Sequence, residues 1–143
     1  MNNTTTVKQR RKPLDYDKSA SYREWHRTLP AHCLVMDIDQ FEYRRDPSGR
    51  LHPVAIIETT AYDGPACPNL LEAVYRRIFE ESCQGAFLKT LADRLDIPAY
   101  IFLHTEDLDE IFAFNVRDPN GEWKRTSKER VANWISNLKY PEA

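Results

Sequence analysis

The chain lacks any apolar run that approaches the roughly 18 residues of a membrane-spanning helix. Its first residues, Met1 to Thr6, also lack the apolar core of a secretory signal. These two absences predict a cytoplasmic protein that has no membrane partner.

Cysteine is also scarce, and its three copies (Cys33, Cys67 and Cys83) show no Cys-x-x-Cys spacing. An odd number without that spacing argues against a disulfide framework and against a zinc ribbon, and it predicts reduced thiols. A zinc site that combines cysteines with histidines stays open as a minor alternative, although the spacings match no recognised pattern. The histidines available for it are His26, His32, His52 and His104.

An excess of positive charge is absent as well, because the net charge is −2 and the pI about 6.1, and this balance does not indicate a nucleic-acid-binding protein. One basic block nevertheless precedes Pro13 in a polar segment, and residues 1–18 are predicted to form a disordered tail. This tail could contact a phosphate backbone, or it could only solubilise the chain. Its basic residues are Lys8, Arg10, Arg11 and Lys12.

The chain of 143 residues, with 41% hydrophobic and 29% charged content, is typical of a globular protein, and residues 19–143 are predicted to form one α/β domain. Hydrophobic periodicity predicts the order αββα(α)ββα and a mixed sheet flanked by helices. Ser19 or Ser21 is expected to cap the first helix, Pro68 to open the second, Gly85 to break or bend the helical region, and Ser127 or Thr126 to cap the last helix. The strands are predicted at 33–44, 51–61, 99–103 and 111–116.

Acidic side chains occur within the first two strands, which a turn at 46–49 joins as a hairpin. A period of two places Asp37 and Asp39 on one face of the first strand, and Glu58 and Thr60 on one face of the second. A turn centred between residues 47 and 48 would pair Glu58 with Asp37, and Ile56 with Asp39. Such clustered carboxylates raise one another's pKa, and a divalent cation relieves their repulsion. The alternative is a solvent-facing hairpin whose acids pair with Arg44, Arg45 or Arg50.

The order of elements, with Asp39 on the first strand and Glu58 near the end of the second, resembles the PD-(D/E)xK nuclease superfamily over residues 20–116. The resemblance implies a restriction-endonuclease-like core, a Mg²⁺ or Mn²⁺ ion held by Asp39 and Glu58, and DNA as the partner. It further implies Asp37 as an additional ligand, and Glu24 on the first helix as another carboxylate. Whether the chain forms a homodimer is left open.

The sequence departs from the superfamily at Thr60, which stands where the motif has its lysine. A hydroxyl cannot supply the positive charge that the lysine brings to the reacting phosphate. Some members take that lysine from a neighbouring helix, and here Lys89 is the preferred replacement, followed by Arg76 and Arg77. The two arginines are also expected to bind nucleic acid. The hypotheses are therefore a metal-dependent deoxyribonuclease, a degenerate nuclease-fold module that binds nucleic acid or protein, or an unrelated α/β interaction protein.

Overall fold

The computed structural model describes residues 16–63 and 67–141, with side chains from residue 20 onward. Its contacts divide the chain into two compact units, residues 1–35 and 36–143. The helices and strands, in chain order, are α1 (Tyr16–His26), β1 (Gln40–Arg45), β2 (Leu51–Tyr62), α2 (Pro68–Phe79), α3 (Gln84–Leu95), β3 (Ala99–Thr105), β4 (Ile111–Asn115), β5 (Lys124–Thr126) and α4 (Lys128–Ser136).

The second unit is an α/β structure with a five-stranded mixed sheet in the order β1-β2-β3-β4-β5. Strands β2 and β3 run parallel and all other neighbours run antiparallel. Strands β2 and β3 are parallel because the helical connection α2–α3 returns the chain to the end of the sheet at which β2 begins. The α/β class and the mixed sheet are confirmed, and β5 is an additional strand that the sequence patterns did not indicate.

Helices cover both faces of the sheet. On one face, Ile56 and Ile101 are fully buried and pack with Val74 and Ile78 of α2 and Leu88 of α3. On the opposite face, a smaller cluster joins the sheet to α4. Its members are Ile57, Phe102 and Ile111 of the sheet and Val131, Trp134 and Ile135 of the helix. No helix in the described part of the chain is both long enough and apolar enough to cross a membrane.

Several helix ends match the sequence signals and others do not. Helix α2 begins at Pro68, whose missing N–H costs nothing at that position. Ser127 caps α4 by accepting a hydrogen bond from the main-chain N–H of Arg130 (3.2 Å). The expected caps of the first helix are wrong, because α1 begins at Tyr16 and contains both serines. Gly85 does not break a helix either; it lies in the first turn of α3, after α2 has ended.

The hairpin pairs in a different register from the predicted one. Gln40 lies opposite Ile57 and Phe41 opposite Ile56, so the expected pairing of Ile56 with Asp39 is wrong. One residue of the shift arises at the turn, where the main chain of Asp46 pairs with Arg50 and Gly49 takes a φ of +87°. The second arises at a bulge that leaves Val54 without a partner in β1. The first strand also starts at residue 40 instead of 33.

Candidate functional site

Asp39 and Glu58 meet where β1 begins. Gln40 pairs with Ile57, and one step further along this register Asp39 lies beside Glu58. Glu58 is two residues beyond the buried Ile56 and therefore lies on the face of the sheet that α2 and α3 cover. Because the register shifts by two residues in total, each side chain of β1 stays on the face of the sheet that the predicted register gave it. As a result, Asp39 takes the place beside Glu58 that the predicted register assigned to Asp37.

Main-chain hydrogen bonds hold the two carboxyl groups reciprocally. The N–H of Asp39 donates to Oε1 of Glu58 over 3.1 Å, and the N–H of Thr59 donates to Oδ2 of Asp39 over 3.0 Å. Each side chain is thus held by the main chain of the other's strand. The rotamers of both acids are restricted before any ligand arrives.

Glu58 is the only charged side chain in the buried core of the described residues, with 5% of its surface exposed. Burial raises the pKa of Glu58 to about 7, and the adjoining carboxyl group of Asp39 adds to the rise. Hydrogen bonds from the main chain of Asp39 and from the side chain of Gln84 act in the opposite direction. A cation placed between the two carboxylates would favour the ionised form of Glu58.

Gln84, which was absent from the sequence-based site, occupies the second oxygen of Glu58. Its side-chain Nε2 donates to Oε2 of Glu58 over 3.1 Å. Gln84 opens α3, and the next residue, Gly85, is packed so closely on Phe79 that a Cβ there would lie 2.2 Å from the ring. Only the packing of α3 against α2 brings Gln84 to Glu58, and no local sequence signal marks it.

Thr60 lies two residues beyond Glu58 in β2, and Arg77 reaches it from the last turn of α2. The guanidinium Nη2 of Arg77 donates to Oγ1 of Thr60 over 3.4 Å. The position that holds the lysine in the PD-(D/E)xK motif is thus approached by a cation from the following helix. An arginine can stabilise a phosphate charge, but it cannot give up a proton as a lysine can.

The other two cations expected near this site are engaged on their own helices. Lys89 pairs with Asp93 over 2.6 Å, and Arg76 pairs with Glu72 over 3.1 Å and with Glu80 over 3.7 Å. Neither forms a hydrogen bond or ion pair with Asp39 or Glu58 in the described part of the chain. The proposal that Lys89 serves the carboxylates stays a prediction.

The sequence predicts two further carboxylates for this site. Asp37 is exposed in the irregular segment before β1, and Glu24 lies on α1 in the first unit. That either supplies a further carboxylate stays a prediction. The basic block of the tail, Lys8 to Lys12, lies outside the described residues.

The arginines of the hairpin do not neutralise Asp39 or Glu58. Arg44 bonds Glu42 over 3.2 Å and donates to the main-chain oxygen of Ile135 at the end of α4. Within residues 20–63 and 67–141, no salt bridge involves Asp39 or Glu58. The alternative in which these acids pair with hairpin arginines therefore receives no support from the described ion pairs.

The carboxylate pair offers oxygen ligands of the kind that Mg²⁺ and Mn²⁺ prefer. Mg²⁺ is commonly held by one or two carboxylates and keeps several waters, and Asp39 and Glu58 offer two carboxylates. The two carboxyl groups fit such an ion, because they are held together and no cation within residues 20–63 and 67–141 pairs with either of them. No set of three or more histidine, cysteine, aspartate or glutamate side chains in the described residues is placed to share an ion.

Comparison with known proteins adds no relative to this picture. No protein-family model, no curated protein and no solved structure matches the chain.

Proposed function

We propose that the protein is a phosphodiesterase that cleaves DNA with the aid of Mg²⁺ or Mn²⁺. This proposal rests on the two main-chain hydrogen bonds that keep the carboxyl groups of Asp39 and Glu58 adjacent. They do so where burial already opposes the charge of Glu58. Such an arrangement is costly to a fold and is typical of a functional site. The same proposal gives the protein a restriction-endonuclease-like core.

Asp39 and Glu58 are the residues that would hold the ion. When bound, Mg²⁺ supplies a Lewis acid for the scissile phosphate and lowers the pKa of a bound water. Gln84 and the Asp39 main chain orient the Glu58 carboxylate, one oxygen each. Arg77, beside Thr60, is placed to stabilise negative charge on the phosphate. The choice of DNA as substrate rests on the motif resemblance and on the basic residues of the tail and of α2.

A second candidate is a nuclease-fold module that binds nucleic acid, or a protein partner, without cleaving it. Thr60 favours this candidate, since the lysine position holds a group that cannot activate water. The ion pairs of Lys89 and Arg76 also favour it, because both cations are engaged elsewhere. In this case the carboxylate pair binds a divalent ion without turnover.

Two measurements test these candidates. The first is calorimetric titration of Mn²⁺ into the wild type and into Asp39→Asn and Glu58→Gln, with Glu72→Gln as the matched control on an exposed acid of α2. We expect heat of binding in the wild type and the control, and a loss of affinity of at least about ten-fold in the two site variants. Equal binding by all four proteins would place the ion elsewhere.

The second measurement is nicking of supercoiled plasmid DNA with Mg²⁺ or Mn²⁺, and with a chelator as the blank. Cleavage that needs the ion and disappears in Asp39→Asn supports the phosphodiesterase. Ion binding without cleavage of duplex, branched or single-stranded DNA would replace it with the non-catalytic module.

A further inference from the structure

The hairpin carries an exposed apolar strip on the same face as the carboxylate pair. Phe41 is 42% exposed, Tyr43 52% and Leu51 51%, and we call these three residues the hairpin strip. The extra residue of the bulge, Val54, lies in β2, so residues 41, 43 and 45 keep their alternation along β1 and share one face, and Asp39 directly precedes the strand in the same parity. Phe41 lies directly opposite Ile56, which packs beneath α2 and α3, so this is also the face of Glu58.

Charged groups stand at both ends of this strip. Asp39 and Glu58 lie at the start of β1, and the exposed Arg45 lies at its end, opposite Leu51. Successive side chains on one face of a strand are about 6.8 Å apart, so the carboxylate end and Arg45 are separated by about 20 Å. Two aromatic rings, Phe41 and Tyr43, lie between these ends.

We propose that the hairpin strip binds unpaired nucleotides of single-stranded DNA, with bases stacked on Phe41 and Tyr43 and a phosphate on Arg45. This inference rests on the proposed function, because it names the substrate class of that same site. Aromatic faces accept any base, and an exposed guanidinium attracts the backbone. Bases inside a duplex are stacked on one another and cannot offer their faces to the two rings.

Arg45 forms no ion pair within residues 20–63 and 67–141, so its guanidinium is available to a phosphate, which a nucleic acid offers at every nucleotide. A dimer formed by β1 of two copies is the competing occupant, since β1 is an edge strand of the sheet. The following test includes it as an outcome.

The test uses the full chain in a chelator, where no divalent-dependent cleavage occurs, and a fluorescein-labelled oligothymidylate as the probe. Fluorescence anisotropy is measured for the wild type, Phe41→Ala, Tyr43→Ala, Tyr43→Phe and Arg45→Ala. Phe87→Ala is the matched control, because Phe87 is also 42% exposed but lies on α3. Circular dichroism checks that each variant is folded.

We expect each aromatic-to-alanine change to weaken binding about ten-fold, while Tyr43→Phe and Phe87→Ala bind as the wild type does. Arg45→Ala should lower the slope of affinity against salt by about 0.7. Absence of binding by the wild type, equal binding by the alanine variants, or tighter binding of the oligothymidylate paired with oligoadenylate would overturn the inference. A dimer detected by light scattering and lost in Tyr43→Ala would also overturn it.

The result is separable from that of the proposed function. Divalent-dependent cleavage with no effect of the strip variants on binding would remove this inference and leave the phosphodiesterase. Strip-dependent binding of the single strand with no cleavage under any condition would leave the inference and remove the phosphodiesterase.

Discussion

Gln84 donates a side-chain N–H to Oε2 of Glu58 over 3.1 Å, and this bond links the start of α3 to the only charged side chain in the described core. The other oxygen of Glu58 accepts the main-chain N–H of Asp39. Both oxygens therefore have donors although the carboxyl group is buried. The two donors explain how the fold tolerates this acid.

Replacing Gln84 by methionine should raise the pKa of Glu58 further. The amide donor favours the carboxylate over the protonated acid, and methionine fills similar space without a donor. The measurement is a carbon-detected NMR titration of the Glu58 carboxyl, with Gln40→Met on the exposed edge strand as the control. A pKa that stays the same or falls in Gln84→Met would show that the bond does not act on the charge of Glu58.

The free energy of unfolding should fall as the pH rises from about 4.5 to about 7. The folded-state pKa of Glu58 is about 7 against an ordinary value of 4.5, so within this interval the folded protein binds the proton and the unfolded chain does not. Glu58→Gln should remove this contribution and raise stability above pH 7 by on the order of 1–3 kcal/mol. Urea unfolding at a series of pH values measures both effects.

Glu72→Gln is the control for that series, because Glu72 is exposed on α2. It should leave the pH dependence unchanged. A Glu58→Gln profile parallel to that of the wild type would mean that Glu58 is ionised without cost.

Asp39→Asn should leave the protein as stable as the wild type or slightly more stable. The asparagine oxygen can still accept the N–H of Thr59, while the like charge beside Glu58 is removed. Thermal unfolding measures the change, and divalent-dependent cleavage, where present, should be lost. A melting temperature several degrees lower, with cleavage retained, would indicate that Asp39 is a structural residue.

Arg77→Ala should reduce divalent-dependent cleavage at least about ten-fold if a cation from the helical connection has replaced the motif lysine. Arg94→Ala is the matched control, since Arg94 is an exposed arginine in the last turn of α3. Single-turnover rates with saturating DNA separate loss of chemistry from loss of binding.

Lys89→Ala tests, in the same assay, the prediction that Lys89 replaces the motif lysine. A loss of roughly 10²-fold would assign the role to Lys89, which would then have to leave Asp93. Thr60→Lys should raise activity if the site is impaired only by the missing amine. If Arg77→Ala, Arg76→Ala and Lys89→Ala all cleave as the wild type does, no displaced cation takes part.

Local sequence signals predicted two of the helix starts and the α/β class of the sheet. Pro68 begins α2 and Ser127 caps α4 as expected, because a missing N–H and a side-chain acceptor act within one helical turn. The same local reasoning failed for the first helix, where serines that could serve as caps lie inside α1. Continuous apolar runs also predicted β3 and β4, since a strand covered on both faces is typically apolar throughout.

Which acid lies beside Glu58 depends on the register of the hairpin, and local sequence signals do not fix that register. The hairpin sequence places Asp37 and Asp39 on the same face of an extended strand, but it does not fix the register in which the two strands pair. A longer turn and the bulge at Val54 each moved the register by one residue, and together they brought Asp39 beside Glu58. Val54, the extra residue of the bulge, and the neighbouring Ala55 are both buried, and no local pattern in the sequence marks a bulge here.

The positions of Gln84 and Arg77 at the site also depend on the tertiary structure. Each lies more than fifteen residues from its partner in β2, and each is brought there by the packing of α2 and α3. Sequence spacing describes neighbours along one strand or one helix, whereas these contacts depend on how two helices cross the sheet. The sequence therefore predicted Asp39 and Glu58 as site residues, but it did not predict that Gln84 would contact Glu58 or that Arg77 would contact Thr60.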